Sequence, residues 1–149
     1  MTREEILALA APVAARCAGV DPDASDAEAL LEGENVDQLE AACLAALAEG
    51  WLCNREGGGV RYGRVSRATP ELSGFSLDAV VMDGPASGAH THPRGEFDLC
   101  FALSGTPTFD GSSSRWTVYG TGTSHIPTVH HGKMLILYFL PGGEIVFGA

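Results

Sequence analysis

Apolar positions recur at helical spacing through the first third of the chain and at strand spacing through the rest. Ile6, Leu9, Ala10, Val13 and Cys17 fall on one helical face; Val36, Leu39, Cys43 and Leu47 fall on another that Gly50 closes. Start signals precede these stripes: Thr2 with Glu5, Ser25 with Glu28 and Asn35 with Gln38 all have capping-box spacing. Pro12 lies inside the first stripe and predicts a kink or a restart there. Both stripes read as faces that pack into a core.

Gly57-Gly58-Gly59 marks a change of pattern. Short apolar or alternating runs then follow, divided by Gly, Pro, Ser and Asp: Val60–Val65, Phe75–Met82, Phe97–Leu103, Trp116–Tyr119, Leu135–Leu140 and Ile145–Phe147. No ten-residue helical pattern interrupts them. Regular short strands with turn chemistry between them predict an antiparallel sandwich or barrel. The expected division is a helical extension over residues 1–56 and a β domain over 57–149. A helix, Gly50-Trp51-Leu52 and a glycine-rich hairpin also match a winged-helix fragment, which charge then argues against.

The chain of 149 residues holds 19 acidic and 9 basic side chains, and a single lysine, Lys133. The excess is local, since residues 1–56 carry twelve acids against three arginines. Helices so charged would repel a phosphate backbone, which excludes nucleic acid as the main partner. No apolar run is long enough to span a bilayer. Met1-Thr2-Arg3-Glu4-Glu5 lacks the profile of a signal peptide, so a cytoplasmic location is expected. Cys17, Cys43, Cys53 and Cys100 are scattered without a Cys-x-x-Cys pair and read as reduced, buried thiols.

Chemistry concentrates in the β region. All five histidines (His90, His92, His125, His130 and His131) lie in the last 60 residues. Alternation puts His90 and His92 on one face of a strand, and a turn through Pro93-Arg94-Gly95 would return Glu96 to that side. Two imidazoles and a carboxylate so placed suit a divalent metal such as Fe, Mn, Zn or Ni. Asp98 shares the face of Glu96 and is a candidate to orient a ligand histidine.

Gly84, five residues, His90-x-His92, three residues and Glu96 resemble the first motif of the cupin barrel, an antiparallel double-stranded β-helix. The second motif is irregular here and leaves the fourth ligand between His125 and His131. A denser resemblance runs from Phe75 to Phe147. His90-Thr-His-Pro-Arg-Gly-Glu-Phe-Asp98, Phe109-Asp-Gly111, Arg115-Trp-Thr-Val-Tyr119, Ser124-His-Ile-Pro-Thr-Val129 and Leu137-Tyr-Phe-Leu-Pro-Gly142 resemble the 4-hydroxylaminobenzoate lyase family. In that pattern the second-motif histidine precedes Pro-Thr-Val, which maps to His125 and moves His130 and His131 away from the site.

The resemblance implies an enzyme that converts 4-hydroxylaminobenzoate to 3,4-dihydroxybenzoate (protocatechuate) and ammonia, in the breakdown of nitroaromatic acids. It implies a metal held by His90, His92, Glu96 and His125, with Glu96, His92 and His125 as the catalytic set. The substrate carboxylate calls for an arginine, with Arg94 first and Arg64, Arg67 and Arg115 behind it. Asp98, Trp116 and Tyr138 are the other expected substrate contacts. A homodimer is expected by analogy with the fold. The competing readings are a metal-dependent dioxygenase or isomerase acting on a small aromatic acid, and a non-catalytic cupin that binds one.

Overall fold

The computed structural model describes residues 1–148. Its helices are α1 (Arg3–Ala18), α2 (Ala27–Leu31) and α3 (Asp37–Glu49). Thr2 caps α1 by accepting a hydrogen bond from the Glu5 amide at 3.1 Å, and Gly50, at φ +90°, ends α3. The other two start signals act differently. Asn35 accepts from the Asp37 amide in a local turn, and α2 has no side-chain cap. Glu28 instead reaches the Val118 amide at 2.9 Å. α1 also runs unbroken through Pro12; Pro12 and Ala8 are both exposed, so water can reach the Ala8 carbonyl that proline leaves unbonded.

The strands are β1 (Arg55–Gly57), β2 (Val60–Ser66), β3 (Phe75–Met82), β4 (His90–His92), β5 (Glu96–Phe109), β6 (Trp116–Tyr119), β7 (Thr123–His125), β8 (Val129–Pro141) and β9 (Val146–Phe147). They form a six-stranded sheet in the order β1-β2-β3-β8-β5-β6 and a small sheet in the order β7-β4-β9. Every paired strand is antiparallel. The architecture is the expected mainly β, antiparallel arrangement with helices at the N-terminus. β5 and β8 are longer than their apolar runs because both continue through exposed polar ends, bulged between Gly105 and Thr108.

Alternation along β8 separates two interiors. Leu135, Leu137 and Phe139 join Leu77, Phe97, Leu99, Phe101 and Trp116 in a cluster that also contains Ile6, Val13, Leu39 and Cys43 from the helices. Met134, Ile136, Tyr138 and Leu140 point the other way, with Val80, Met82 and Cys100. Burial on both faces explains the unbroken apolar run. The helices therefore cover one face of the large sheet, while the other face looks toward the small sheet and the histidines.

All four cysteines are free and buried, and burial pushes each thiol up to about 12. The native protein is expected to resist iodoacetamide at pH 8 and to react at all four thiols in denaturant, as read by intact mass. Rapid labelling of the native protein would contradict this packing.

Candidate active site

β4 supplies two inward side chains, His90 and His92, both buried, and turns Thr91 outward to bond Ser124. The chain then reverses through Pro93-Arg94-Gly95. Gly95 sits at φ +90°, and a Cβ there would lie 2.8 Å from the Tyr119 carbonyl oxygen. Only glycine takes this turn without strain. It delivers Glu96 to the start of β5 on the histidine side, at 0% exposure. The register of β4 against β7 places His125 directly opposite His90, so His125 takes the fourth position of the cluster. His130 and His131 are exposed elsewhere, on β8.

His90, His92, Glu96 and His125 bring one ligand atom each within 4.8 Å of one another. His92 Nε2 is 3.1 Å and His125 Nε2 3.6 Å from Glu96 Oε2; His90 Nε2 is 3.4 Å from Glu96 Oε1. His90 Nε2 and His125 Nε2 are 2.9 Å apart. Burial alone would push the Glu96 carboxyl up, but the imidazoles of His125, His90 and His92 outweigh it and hold Glu96 well below the usual range. It is a buried carboxylate.

Hydrogen bonds behind the ring fix the tautomer of His92. The Thr123 hydroxyl donates its one proton to the Gly120 carbonyl at 2.7 Å. At 3.0 Å from His92 Nδ1 it can then only accept, so Nδ1 carries the hydrogen and the neutral ring presents its lone pair at Nε2. That lone pair faces an ionised carboxylate oxygen, and neither His92 Nε2 nor either Glu96 oxygen has a hydrogen-bond partner. Two such acceptors buried against one another take a proton or a cation between them. Three imidazole nitrogens and a carboxylate are a suitable donor set for a divalent metal.

His125 is oriented by Asp110, whose Oδ2 accepts from its Nδ1 at 2.6 Å. Tyr119 donates its hydroxyl to the same oxygen, and the Thr128 amide bonds Oδ1. Orienting a ligand histidine was expected of Asp98, but neither Asp98 oxygen has a partner. Burial and the charge of Glu96 push its carboxyl well up. No spacing signal marks Asp110, which sits in the Phe109-Asp-Gly111 turn, 15 residues before His125. A chemical role for that turn shows only once β5 and β7 are folded together.

A cavity of about 930 Å³ opens beside this cluster, walled in part by His90, Tyr138, Met82 and Phe147, with Arg55 and Arg64 at its polar side. The Phe147 ring stands edge-on to His90, with centroids 5.9 Å apart.

The family model described as "PnbB: 4-hydroxylaminobenzoate lyase" matches residues 12–147. The chain belongs to the 4-hydroxylaminobenzoate lyase family. A 4-hydroxylaminobenzoate lyase of Pseudomonas putida is 28% identical over 133 residues, 78% of this chain and 76% of that protein. Another, of Nocardioides sp. (strain LMS-CY), is 35% identical over 108 residues, 66% of this chain and 64% of that protein. Among solved structures, a cupin-like protein of Thermotoga maritima msb8 is similar over 60% of this chain and 75% of its own, at 12% identity and a TM-score of 0.36.

Of the residues expected to contact a lyase substrate, the fold places Tyr138 on the cavity wall. Trp116 lies on the helix side of the sheet, 1% exposed, because it pairs with Leu99, whose side chain points that way. Arg94 is on the outer surface, 3.5 Å from Glu144, where the turn that returns Glu96 leaves it. Neither borders the cavity. Arg115 pairs with Asp37 and Glu40. Arg64 is the one arginine of the expected group that does border the cavity, and Arg3 and Arg55 join it there.

Burial would lower the His125 imidazole, but Asp110 and Glu96 outweigh it and bring it up to about 9. A divalent cation taking this nitrogen must expel its proton. Below pH 9 its affinity is therefore expected to rise with pH, about tenfold per unit for the one proton displaced. Titration with Zn²⁺ at about pH 6, 7 and 8 measures the slope, and a flat profile would show that the ion displaces no proton from His125.

Proposed function

We propose that the chain is a 4-hydroxylaminobenzoate lyase that releases ammonia and 3,4-dihydroxybenzoate. It would use a divalent metal held by His90, His92, Glu96 and His125. The observation that carries this reading is the convergence of three imidazoles and an ionised, unpartnered carboxylate at the wall of a cavity wide enough for an aromatic acid. The donor set suits Fe, Mn, Zn or Ni. Four buried, unpaired thiols fit a reducing compartment, and the cytoplasm is the proposed location.

The balance of the reaction states what the site must do. Substrate plus one water gives product plus ammonia, with the N–O bond reduced and the ring oxidised. The N–O electron pair leaves on oxygen, which takes a proton and departs as water. One water adds to the ring carbon next to the one that bears nitrogen, and a second replaces the nitrogen, which leaves as ammonia. When bound, a divalent cation supplies Lewis acidity where oxygen departs or water is activated.

The chain's own groups do the rest. His90 is the member of the cluster that borders the cavity, so the substrate's hydroxylamino end belongs beside it. Phe147 and Tyr138 flank the position of the ring, each with its ring near that of His90. The Tyr138 hydroxyl is buried without a partner, available to bond a polar group of the substrate. Arg64 is committed to Asp78 through two bonds of 2.9 and 3.1 Å. Arg55 has no ion-pair partner among the described residues and is the first choice for the substrate carboxylate.

The test is anaerobic incubation with 4-hydroxylaminobenzoate, following ammonia and 3,4-dihydroxybenzoate. Equimolar release of both is expected, lost in His92→Ala. Arg55→Ala is expected to raise KM about tenfold or more with a smaller effect on kcat, the loss of one charge-assisted pair. A folded, metal-loaded protein that leaves the substrate unchanged would overturn the proposal. Turnover of a catechol that consumes oxygen would put a dioxygenase in its place.

A further inference from the structure

The loop between α1 and α2 lies far from the histidines in sequence and bonds directly to the turn that holds them. Asp23 Oδ1 accepts from the Thr121 amide at 2.8 Å, and Asp23 Oδ2 from the Thr121 hydroxyl at 2.9 Å. Asp23 is itself held by its own amide, which donates to Asp21 Oδ1 at 2.9 Å. The carboxylate sits so close to Gly120 that a Cβ there would collide with it. Glu28 adds a further tie to the same segment through the Val118 amide.

These bonds continue inward without a gap. Asp23 fixes Thr121 and Gly120. The Gly120 carbonyl takes the Thr123 proton, and the Thr123 oxygen therefore accepts from His92 Nδ1. The Gly122 amide donates to the His92 carbonyl at 2.7 Å. We infer that Asp23 is a positioning residue for the metal centre: through the Gly120–Thr123 turn it sets the tautomer and ring orientation of His92. The helical segment is thus a working part of the site. This rests on the reading that the four side chains hold a metal.

The physical consequence is specific. Without Asp23 the Thr121 amide and hydroxyl turn to water, and the Gly120 carbonyl is left with only its bonds from Thr123. The Thr123 hydroxyl can then rotate and donate to His92 Nδ1. That stabilises the tautomer with hydrogen on Nε2, the atom needed as a lone pair. A bond to a histidine's outer nitrogen, when lost, weakens metal binding by about 10- to 100-fold.

The experiment uses the full chain, Co²⁺ as probe, and its visible absorption as the reading of coordination. Wild type, Asp23→Ala, Asp23→Asn, Thr123→Val, Thr123→Ser and His92→Ala are each titrated, with melting temperature measured on the metal-free proteins. The expected result is Co²⁺ affinity about tenfold weaker in Asp23→Ala and Thr123→Val, with an altered spectrum. Thr123→Ser, which keeps the hydroxyl, is expected to restore both. Unchanged affinity and spectrum in Asp23→Ala and Thr123→Val, whatever the melting temperature, would reduce Asp23 to a structural brace and overturn the inference. A wild type that takes up no more Co²⁺ than His92→Ala would overturn the metal reading itself, and this inference with it.

Discussion

A carboxylate that is fully buried, ionised and ringed by imidazoles is a costly thing to build into a β-structure. Glu96 is such a group, and the surrounding structure is the means of tolerating it. Left alone, two acceptors 3.1 Å apart repel; with a cation between them, the same arrangement becomes a binding site. Imidazoles and a carboxylate that converge in the interior mark a site built around charge, in a chain whose other buried side chains are mostly apolar.

Three backbone devices create that convergence. Alternation puts His90 and His92 on one side of β4. The left-handed glycine at position 95 reverses the chain so that Glu96 rejoins them. Antiparallel register then fixes His125 opposite His90. Around them, Thr123 and Asp110 hold the outer nitrogens of His92 and His125, which fixes the orientation of otherwise flexible imidazoles. The large sheet separates this polar interior from the helix-side core, so that Glu96, Asp98 and Tyr138 face the site while Phe97, Leu99 and Phe139 face the helices. The same two-residue period serves stability on one side and chemistry on the other.

The residues legible in the sequence are those whose roles depend on local spacing. The His90-x-His92 pair, the reversal to Glu96, the helical stripes and most strands follow from period and turn chemistry alone. What was hidden depends on contacts across the fold. Asp110 reaches His125, and Asp23 reaches Thr121 across 98 residues, with no periodic signal to announce either. The facing of Trp116 could not be read from its own short strand, because it is set by pairing with Leu99. Arg94 lies inside the motif, yet the turn that sends Glu96 inward sends Arg94 out to Glu144. Ser25 and Glu28 match a cap, but Glu28 finds a better partner in an unpaired amide of the edge strand β6.

The central claim is that one divalent ion sits among four particular side chains. Diffraction from metal-loaded crystals, collected on either side of the absorption edge of the bound metal, tests it directly. The account predicts a single anomalous peak bonded by His90 Nε2, His92 Nε2, Glu96 and His125 Nε2, with Thr123 and Asp110 still on the outer nitrogens. A peak elsewhere, or metal-loaded crystals whose four side chains bond only to one another, would contradict it.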